Sequence, residues 1–302
     1  MPTNSPNRKK ILVAIPTCNR HQQLFKVLQD LKNQSIQPDL VVIVDSSDDF
    51  REISDQHSDF NVAHIQSKIK SAAEQRNMAL DYFKSLKIES GILYFLDDDI
   101  SIDKDYIANI LQRFNANLDA VGISGITNQE PLRSFERNIF SDLLGATGNP
   151  GCITRAGINI PIRKSITMGS NSQWLIGCSA WRLESIGIVR FENDFQGNSI
   201  FEDVIFSFRM SKKGKLLVFD EIRIEHFLSE IQRASNEKNF SDWIMNRRRI
   251  LRYDNEKQFS RKKMLLHDLV LLTVHFLKFL KGDRTSWSKC MGITMGLWQI
   301  KS

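Results

Sequence analysis

Short β-branched runs alternate with helical spacing over the first hundred residues. Ile11–Ile15 (ILVAI) and Leu40–Val44 (LVVIV) carry no polar interruption, the pattern of strands buried on both faces. Between them Leu24, Val27, Leu28 and Leu31 recur at i, i+3, i+4 and i+7, which lines one face of a helix. Ala79, Phe83 and Leu86 mark a second helical face, and Gly91–Leu96 (GILYFL) a third buried strand. Ile107, Ile110, Leu111 and Phe114 open the helix after it. This β-α-β-α-β-α order predicts parallel strands joined by right-handed crossovers. Ala120–Ile126 (AVGISGI) predicts one more strand, its glycines allowing close backbone approach.

From Thr127 to Gln173 the period is lost. This stretch holds Pro131, Gly145, Gly148, Pro150, Gly151, Gly157 and Pro161, and so long an aperiodic segment inside a domain reads as a functional loop region. Order returns over Trp174–Arg182, in a helix over Asp203–Lys212, and in strands over Leu216–Phe219 and Ile222–His226. Beyond about residue 240 the chain reads as helical and basic, with no internal repeat. The expected organisation is an α/β domain over residues 8–230, with a mostly parallel sheet flanked by helices, followed by a basic helical extension over 231–302.

Composition changes this picture little, and charge changes it more. A chain of 302 residues with 25% charged and 41% hydrophobic residues is an ordinary globular one, which excludes disorder and low-complexity architectures. Cys18, Cys152, Cys178 and Cys290 lie far apart with no Cys-x-x-Cys, which argues against a disulfide framework or structural zinc and fits a reducing compartment. The first apolar run, ILVAIP, is too short for a secretion signal, so a cytoplasmic location is expected. The net charge of +6 is uneven: residues 241–302 carry thirteen Lys/Arg against five Asp/Glu, while the body is close to neutral. A basic tail on a neutral body points to an anionic surface. No zinc-finger, RRM-like or basic-zipper pattern favours nucleic acid, so a membrane at its inner face is the expected partner.

Open parallel sheets bind ligands at the carboxyl ends of their strands, so the residues following each strand carry the candidate chemistry. After the first come Pro16-Thr17-Cys18-Asn19-Arg20, with neither Gly-x-Gly-x-x-Gly nor a Walker loop. After the second come Asp45-Ser46-Ser47-Asp48-Asp49, and after the third Asp97-Asp98-Asp99. Three consecutive aspartates repel one another unless a cation compensates, which points to a divalent, oxygen-ligated ion such as Mg²⁺ or Mn²⁺ beside a polyphosphate.

The segments ILVAIPTCNR, VVIVDSSDD, AEQRNMAL, ILYFLDDDI, IGCSAWRLESIG and FEDVIFSFRM, in that order, resemble family 2 glycosyltransferases of the GT-A fold over about residues 10–226. The resemblance implies transfer of a sugar from a nucleotide-diphosphate donor to a saccharide or lipid-linked acceptor, with inversion and with Mn²⁺ or Mg²⁺, as in bacterial surface polysaccharide synthesis. It puts Pro16 and Thr17 beside the nucleotide, Asp45 on the base or ribose, and Arg76 near the base or diphosphate. Asp97 would face the ribose, Asp98 the donor and Asp99 the metal. Asp203 would be the general base, and His226 a second protein ligand to the metal. Phe201-Glu202 stand where many members have Gly-Glu or Trp-Glu. A carboxylate that takes the acceptor proton contributes about 10²–10⁴-fold, and for inversion it lies opposite the leaving nucleotide.

Other readings of these residues stay open in the sequence. Asp45 can cap a turn, Glu202 and Asp203 can complement a helix dipole, and Arg76 can be an exposed helix charge. Trp174 and Trp181 can stack on a sugar or pack in the core. Asp97-x-Asp99-x-Ser101 also mimics the motif of aspartyl-nucleophile phosphohydrolases, and a non-catalytic, membrane-associated nucleotide-sugar-binding module would keep the same pocket. In the tail, Leu265, Leu269, Leu272, Phe276 and Phe279 form a narrow stripe on a helix over about 262–281, interrupted by His267, Asp268, His275 and Lys278. Such a stripe fits a helix lying in an anionic membrane interface or one packed on protein, rather than a spanning helix.

Overall fold

The computed structural model describes residues 9–50, 60–128, 139–163, 169–195, 199–227 and 236–299. In chain order the elements are β1 Ile11–Thr17, α1 His21–Lys32, β2 Leu40–Asp45, β3 Asn61–Gln66, α2 Ala72–Ser85, β4 Ile92–Phe95, β5 Ile100–Ile102, α3 Tyr106–Ala116 and β6 Ala120–Thr127. They continue with α4 Ile139–Leu143, β7 Ser170–Ser172, β8 Ser179–Arg182, α5 Leu183–Ile186, α6 Glu202–Met210, β9 Lys215–His226, α7 Asn236–Arg249, α8 Arg261–Leu280 and α9 Thr285–Gln299.

One sheet runs in the order β3-β2-β1-β4-β8-β6-β9-β5, with β7 paired to β9. Strands β3, β2, β1 and β4 are mutually parallel, as the βαβ order predicts. The pattern changes at β8, which is inserted between β4 and β6 and runs antiparallel to both. The second half of the sheet is therefore mixed. Both faces are covered, which explains the unbroken apolar runs. Along β1, Leu12 and Ala14 join the cluster under α2 and α6, whereas Ile11, Val13 and Ile15 join the cluster under α1 and α3.

Three features depart from the sequence expectation. The two short strands expected over 216–226 are one continuous strand, β9, which bends where its register against β6 shifts between Ser124 and Ile126. Gly125 permits that bend, because a Cβ there would lie 2.0 Å from the carbonyl oxygen of Ile222. Strands β3 and β5 carry no clean apolar signature, one being a half-exposed edge and the other only three residues long. The aperiodic region holds α4, β7 and an isolated bridge between Ile153 and Asn159, and its residues 129–138 and 164–168 lie outside those described.

Trp174 and Trp181 are both buried and belong to the core. Trp181 Nε1 donates to Ser179 Oγ, Trp174 Nε1 donates to the Ile160 carbonyl, and the Trp181 ring meets Phe206 edge-on. The tail is helical, with α9 against α7 and α8, and it is tied to the body. Ser260 N–H donates to the Arg155 carbonyl, Gln258 bonds Ile153 and Gln173, and Arg252 pairs with Glu192.

Candidate active site

The sequence-named residues converge at the carboxyl edge of the parallel strands. Pro16 and Thr17 end β1 with buried side chains, in register with Val44 and Asp45 at the end of β2. Thr17 Oγ1 donates to Asp98 Oδ2 at 2.7 Å, which joins the first loop to the aspartate triplet after β4. Arg20, the cation closing that first loop, donates through Nη1 to Asp98 Oδ1 at 3.0 Å and to Asp99 Oδ2 at 3.1 Å. One guanidinium thus offsets part of the repulsion within the triplet. Burial still dominates for Asp98, whose carboxyl is pushed up to about 6, and it raises Asp99 as well.

Asp45 is fully buried at 0% exposure and ionised. Burial alone would raise its carboxyl, but hydrogen bonds from His64, Ser47 and His21 hold it at about 2. His21 Nε2 and His64 Nε2 each lie 3.3 Å from Asp45 Oδ2, and Ser47 N–H donates to Oδ1 at 2.7 Å. The two histidines come from α1 and β3 and were not singled out in the sequence. The β2–β3 register, which sets Val44 opposite Ile65 and Ile43 opposite His64, is what delivers His64 to the site.

Strand β5 explains how His226 reaches the aspartates. It follows the triplet directly and pairs antiparallel with the end of β9, with Ile100 opposite His226. Phe227 N–H also donates to the Asp99 carbonyl at 2.8 Å. His226 Nε2 lies 3.3 Å from Asp99 Oδ1 and 3.6 Å from Asp97 Oδ2. Asp97, Asp99 and His226 each offer a ligand atom within 4.8 Å of one another. The buried Nδ1 of His226 has no hydrogen-bond partner among the described residues. Two carboxylates and an imidazole are a donor set suited to Mn²⁺ or Mg²⁺. The cluster includes Asp97 together with the Asp99 and His226 that the resemblance assigned to the metal.

Helix α2 supplies the scaffold behind these groups. Its N-cap Ser71 accepts from Glu74 N–H, the local signal that starts the helix. Gln75 Nε2 donates to the carbonyls of Thr17 and Val44 at 2.7 and 2.6 Å, fastening the ends of β1 and β2. Arg76, only 4% exposed, donates to Asp97 Oδ1 at 2.8 Å and pairs with Glu202 at the first turn of α6. Its guanidinium lies within cation–π distance of the Phe95 and Phe191 rings. Gly177 makes room for it: a Cβ there would stand 3.3 Å from Arg76 Nη2.

The start of α6 is strained. Phe201 has φ 78° and Ser199 φ 50°, conformations that cost non-glycine residues on the order of 1–3 kcal/mol each. Ser199 Oγ holds the segment in place by accepting from Ala73 N–H and meeting Ser71 Oγ, both at 3.2 Å. Glu202 is thereby turned inward onto Arg76, and Asp203 follows it half-buried, its Oδ1 accepting from Val204 N–H at 2.8 Å. Burial, opposed by the Val204 N–H and Arg76, pushes Asp203 up to about 6. Burial also pushes the Glu202 carboxyl upward, against the pull of the paired Arg76 guanidinium. A carboxylate poised near 6 is well matched to accepting a proton at neutral pH. Gln75, Arg20, Ser199 and the two histidines were missing from the sequence assignment, and only the proximity of Arg20 to the first strand gave a signal.

A family model described as glycosyl transferase family 2 matches residues 12–175, more than half of the chain. The chain belongs to glycosyl transferase family 2. Solved structures agree at the level of fold. TarS residues 1–349 from S. aureus, in complex with UDP-GlcNAc, superposes with a TM-score of 0.54 at 16% identity, over 78% of this chain and 65% of that one. This chain thus spans just under two thirds of the length of that TarS fragment, and 44% of a longer TarS chain. The mannosyltransferase PcManGT from Pyrobaculum calidifontis, in complex with GDP-Man and Mn²⁺, superposes with a TM-score of 0.55 at 13% identity, over 97% of this chain and 88% of that one. No curated protein matches the chain in sequence.

Proposed function

We propose that this family 2 member transfers a sugar, with inversion, from a nucleoside-diphosphate donor to a hydroxyl of a saccharide or lipid-linked acceptor, in a metal-dependent reaction in the cytoplasm. The observation that carries the reading is the meeting, at one sheet edge, of the Asp97–Asp99–His226 cluster and the half-buried Asp203, linked through Arg76 and Glu202. The nucleotide sugars bound in the TarS and PcManGT structures support the donor class, and the Mn²⁺ of the latter supports the metal.

Asp203 accepts the proton of the acceptor hydroxyl. The acceptor oxygen then forms a bond to the anomeric carbon on the face opposite the diphosphate, and the bond from that carbon to the diphosphate oxygen breaks with its electron pair. Thr17 and Asp45 hold the nucleoside end, where Asp45, kept ionised, offers acceptors and no donor. Asp97, Asp99 and His226 would hold the divalent ion, which when bound supplies Lewis-acid neutralisation of diphosphate charge. Arg76 is a positioning residue: it fixes Asp97 on one side and, through Glu202, the turn that presents Asp203 on the other.

The test is release of nucleoside diphosphate from a panel of nucleotide sugars with Mn²⁺, by the wild type and by Asp203→Asn. Turnover by the wild type and its loss in the variant is the expected result. Donor binding without turnover in either protein would favour a non-catalytic binding module, and cleavage to nucleoside monophosphate and sugar 1-phosphate in place of nucleoside diphosphate would favour the phosphohydrolase reading.

A further inference from the structure

The tail helix α8 packs in an unusual sense. Its buried side is largely polar, formed by Met264, His267, Asp268 and His275, while Leu265, Leu269 and Phe276 of its apolar stripe face outward together with Leu277 and Leu280. The rotation is set by a buried ion cluster. Asp268 and Arg247 are both 0% exposed and paired, and Arg248 Nη2 donates to Asp268 Oδ2 at 2.5 Å. His275 rests edge-on against Phe240, with Nδ1 3.3 Å from Ser286 Oγ. Turning α8 to bury its leucines would carry Asp268 into solvent and strand the Arg247 guanidinium in the interior, a buried charge without its partner. The outward apolar face is therefore fixed by the same contacts that hold the helix.

Helix α9 continues that face with Trp287, Met291, Met295 and Trp298, the last 73% exposed. Exposed apolar surface of this extent on a folded protein marks a contact with something else. The charges around it indicate what. Arg261 and Lys262 are exposed at one end of α8, and Lys278, Lys281 and Arg284 at the other. Of the two acids in 261–299, Asp268 is spent on the arginines of α7, and Asp283 accepts from Thr285 and Ser286 at the start of α9. A second copy of this chain would bring like charges together across the face. No described helix is long and apolar enough to cross a membrane.

We propose that the outer face of α8 and α9 seats the protein on the surface of an anionic lipid bilayer. The leucines and Phe276 enter the acyl boundary, Trp287 and Trp298 lie at headgroup depth, and the flanking lysines and arginines meet lipid phosphates. This proposal stands on the tail alone and does not depend on the reaction assigned to the catalytic domain. If both hold, the tail brings the site to a lipid-linked acceptor.

The test is co-sedimentation of the full chain with vesicles of phosphatidylcholine alone or mixed with phosphatidylglycerol. Binding is expected to the mixed vesicles at low salt, to fall as salt rises, and to weaken at least tenfold in the Leu269→Glu/Phe276→Glu double variant. Both side chains are exposed, so that variant keeps the wild-type thermal midpoint. Wild-type protein that stays in the supernatant at low salt, or that binds both vesicle types equally, would overturn the proposal. So would unchanged binding by the double variant. A dimer in sedimentation velocity that the double variant dissolves, without vesicle binding, would assign the face to a second copy instead.

Discussion

Arg76 in α2 and Glu202 in α6 form a buried ion pair between elements more than a hundred residues apart in sequence, and the free arm of Arg76 reaches Asp97. The side of the site that bears the aspartate cluster is thereby tied to the side that bears the base. Replacing Arg76 with Met leaves Glu202 and Asp97 without their cation in a buried setting, and loss of one partner of such a pair costs about 3–5 kcal/mol. A large drop in Tm is expected for Arg76→Met. Part of it should return in Arg76→Met/Glu202→Gln, which removes the stranded carboxylate. If the losses in Arg76→Met and in Glu202→Gln alone, read by denaturant titration, add up to the loss in the double variant, the pair is not coupled.

Asp203→Asn separates chemistry from binding. Turnover is expected to fall about 10²–10⁴-fold while the donor dissociation constant stays within about twofold, because a base is removed and no donor contact is lost. Thermal stability should move the other way. The Asp203 carboxyl is raised from 3.8 to about 6, so the folded state holds its proton more tightly than the unfolded one, and ionising it opposes folding as pH rises from about 4 to 6. Above that window the full penalty remains, and Asn removes it. Tm at pH 7 should rise, by less than the roughly 2–4 °C per kcal/mol typical of chains of 150–250 residues.

The same carboxyl sets a pH dependence. With donor and Mn²⁺ saturating, kcat should fall about tenfold per pH unit below about 6 and level off above it, since only the ionised form of Asp203 accepts a proton. A profile flat between pH 5 and 7 would remove Asp203 from the rate-determining proton transfer. The residual activity of Asp203→Asn should lack this limb.

Most of the scaffold was legible because it rests on local pattern. The apolar runs at 11–15, 40–44 and 91–96 and the helical faces between them become β1, β2, β4, α1, α2 and α3, and the acidic residues after those strands do meet at one edge. What escaped depends on long-range pairing. Strand β5 is three residues long and gains its identity only from β9, yet it is what delivers His226. The bond of Gln75 to two strand-end carbonyls and the support of Phe201 by Ser199 involve residue types that occur everywhere in helices and loops. In the tail, periodicity found the helix and its stripe but not which side faces inward, because the Arg247–Asp268 pair outweighs the leucines.

The central claim is that the Asp97–Asp99–His226 cluster forms a metal-dependent nucleoside-diphosphate site. Clustered acidic groups repel a diphosphate unless a cation intervenes, so binding and metal must be linked. The most direct measurement is calorimetric titration with UDP and GDP, in Mn²⁺ and in EDTA, of the wild type and Asp99→Ala. At least one of the two nucleotides should bind the wild type in Mn²⁺, with affinity at least tenfold weaker in EDTA and in Asp99→Ala. Binding of equal strength with and without metal, or no binding of either nucleotide in Mn²⁺, would contradict it.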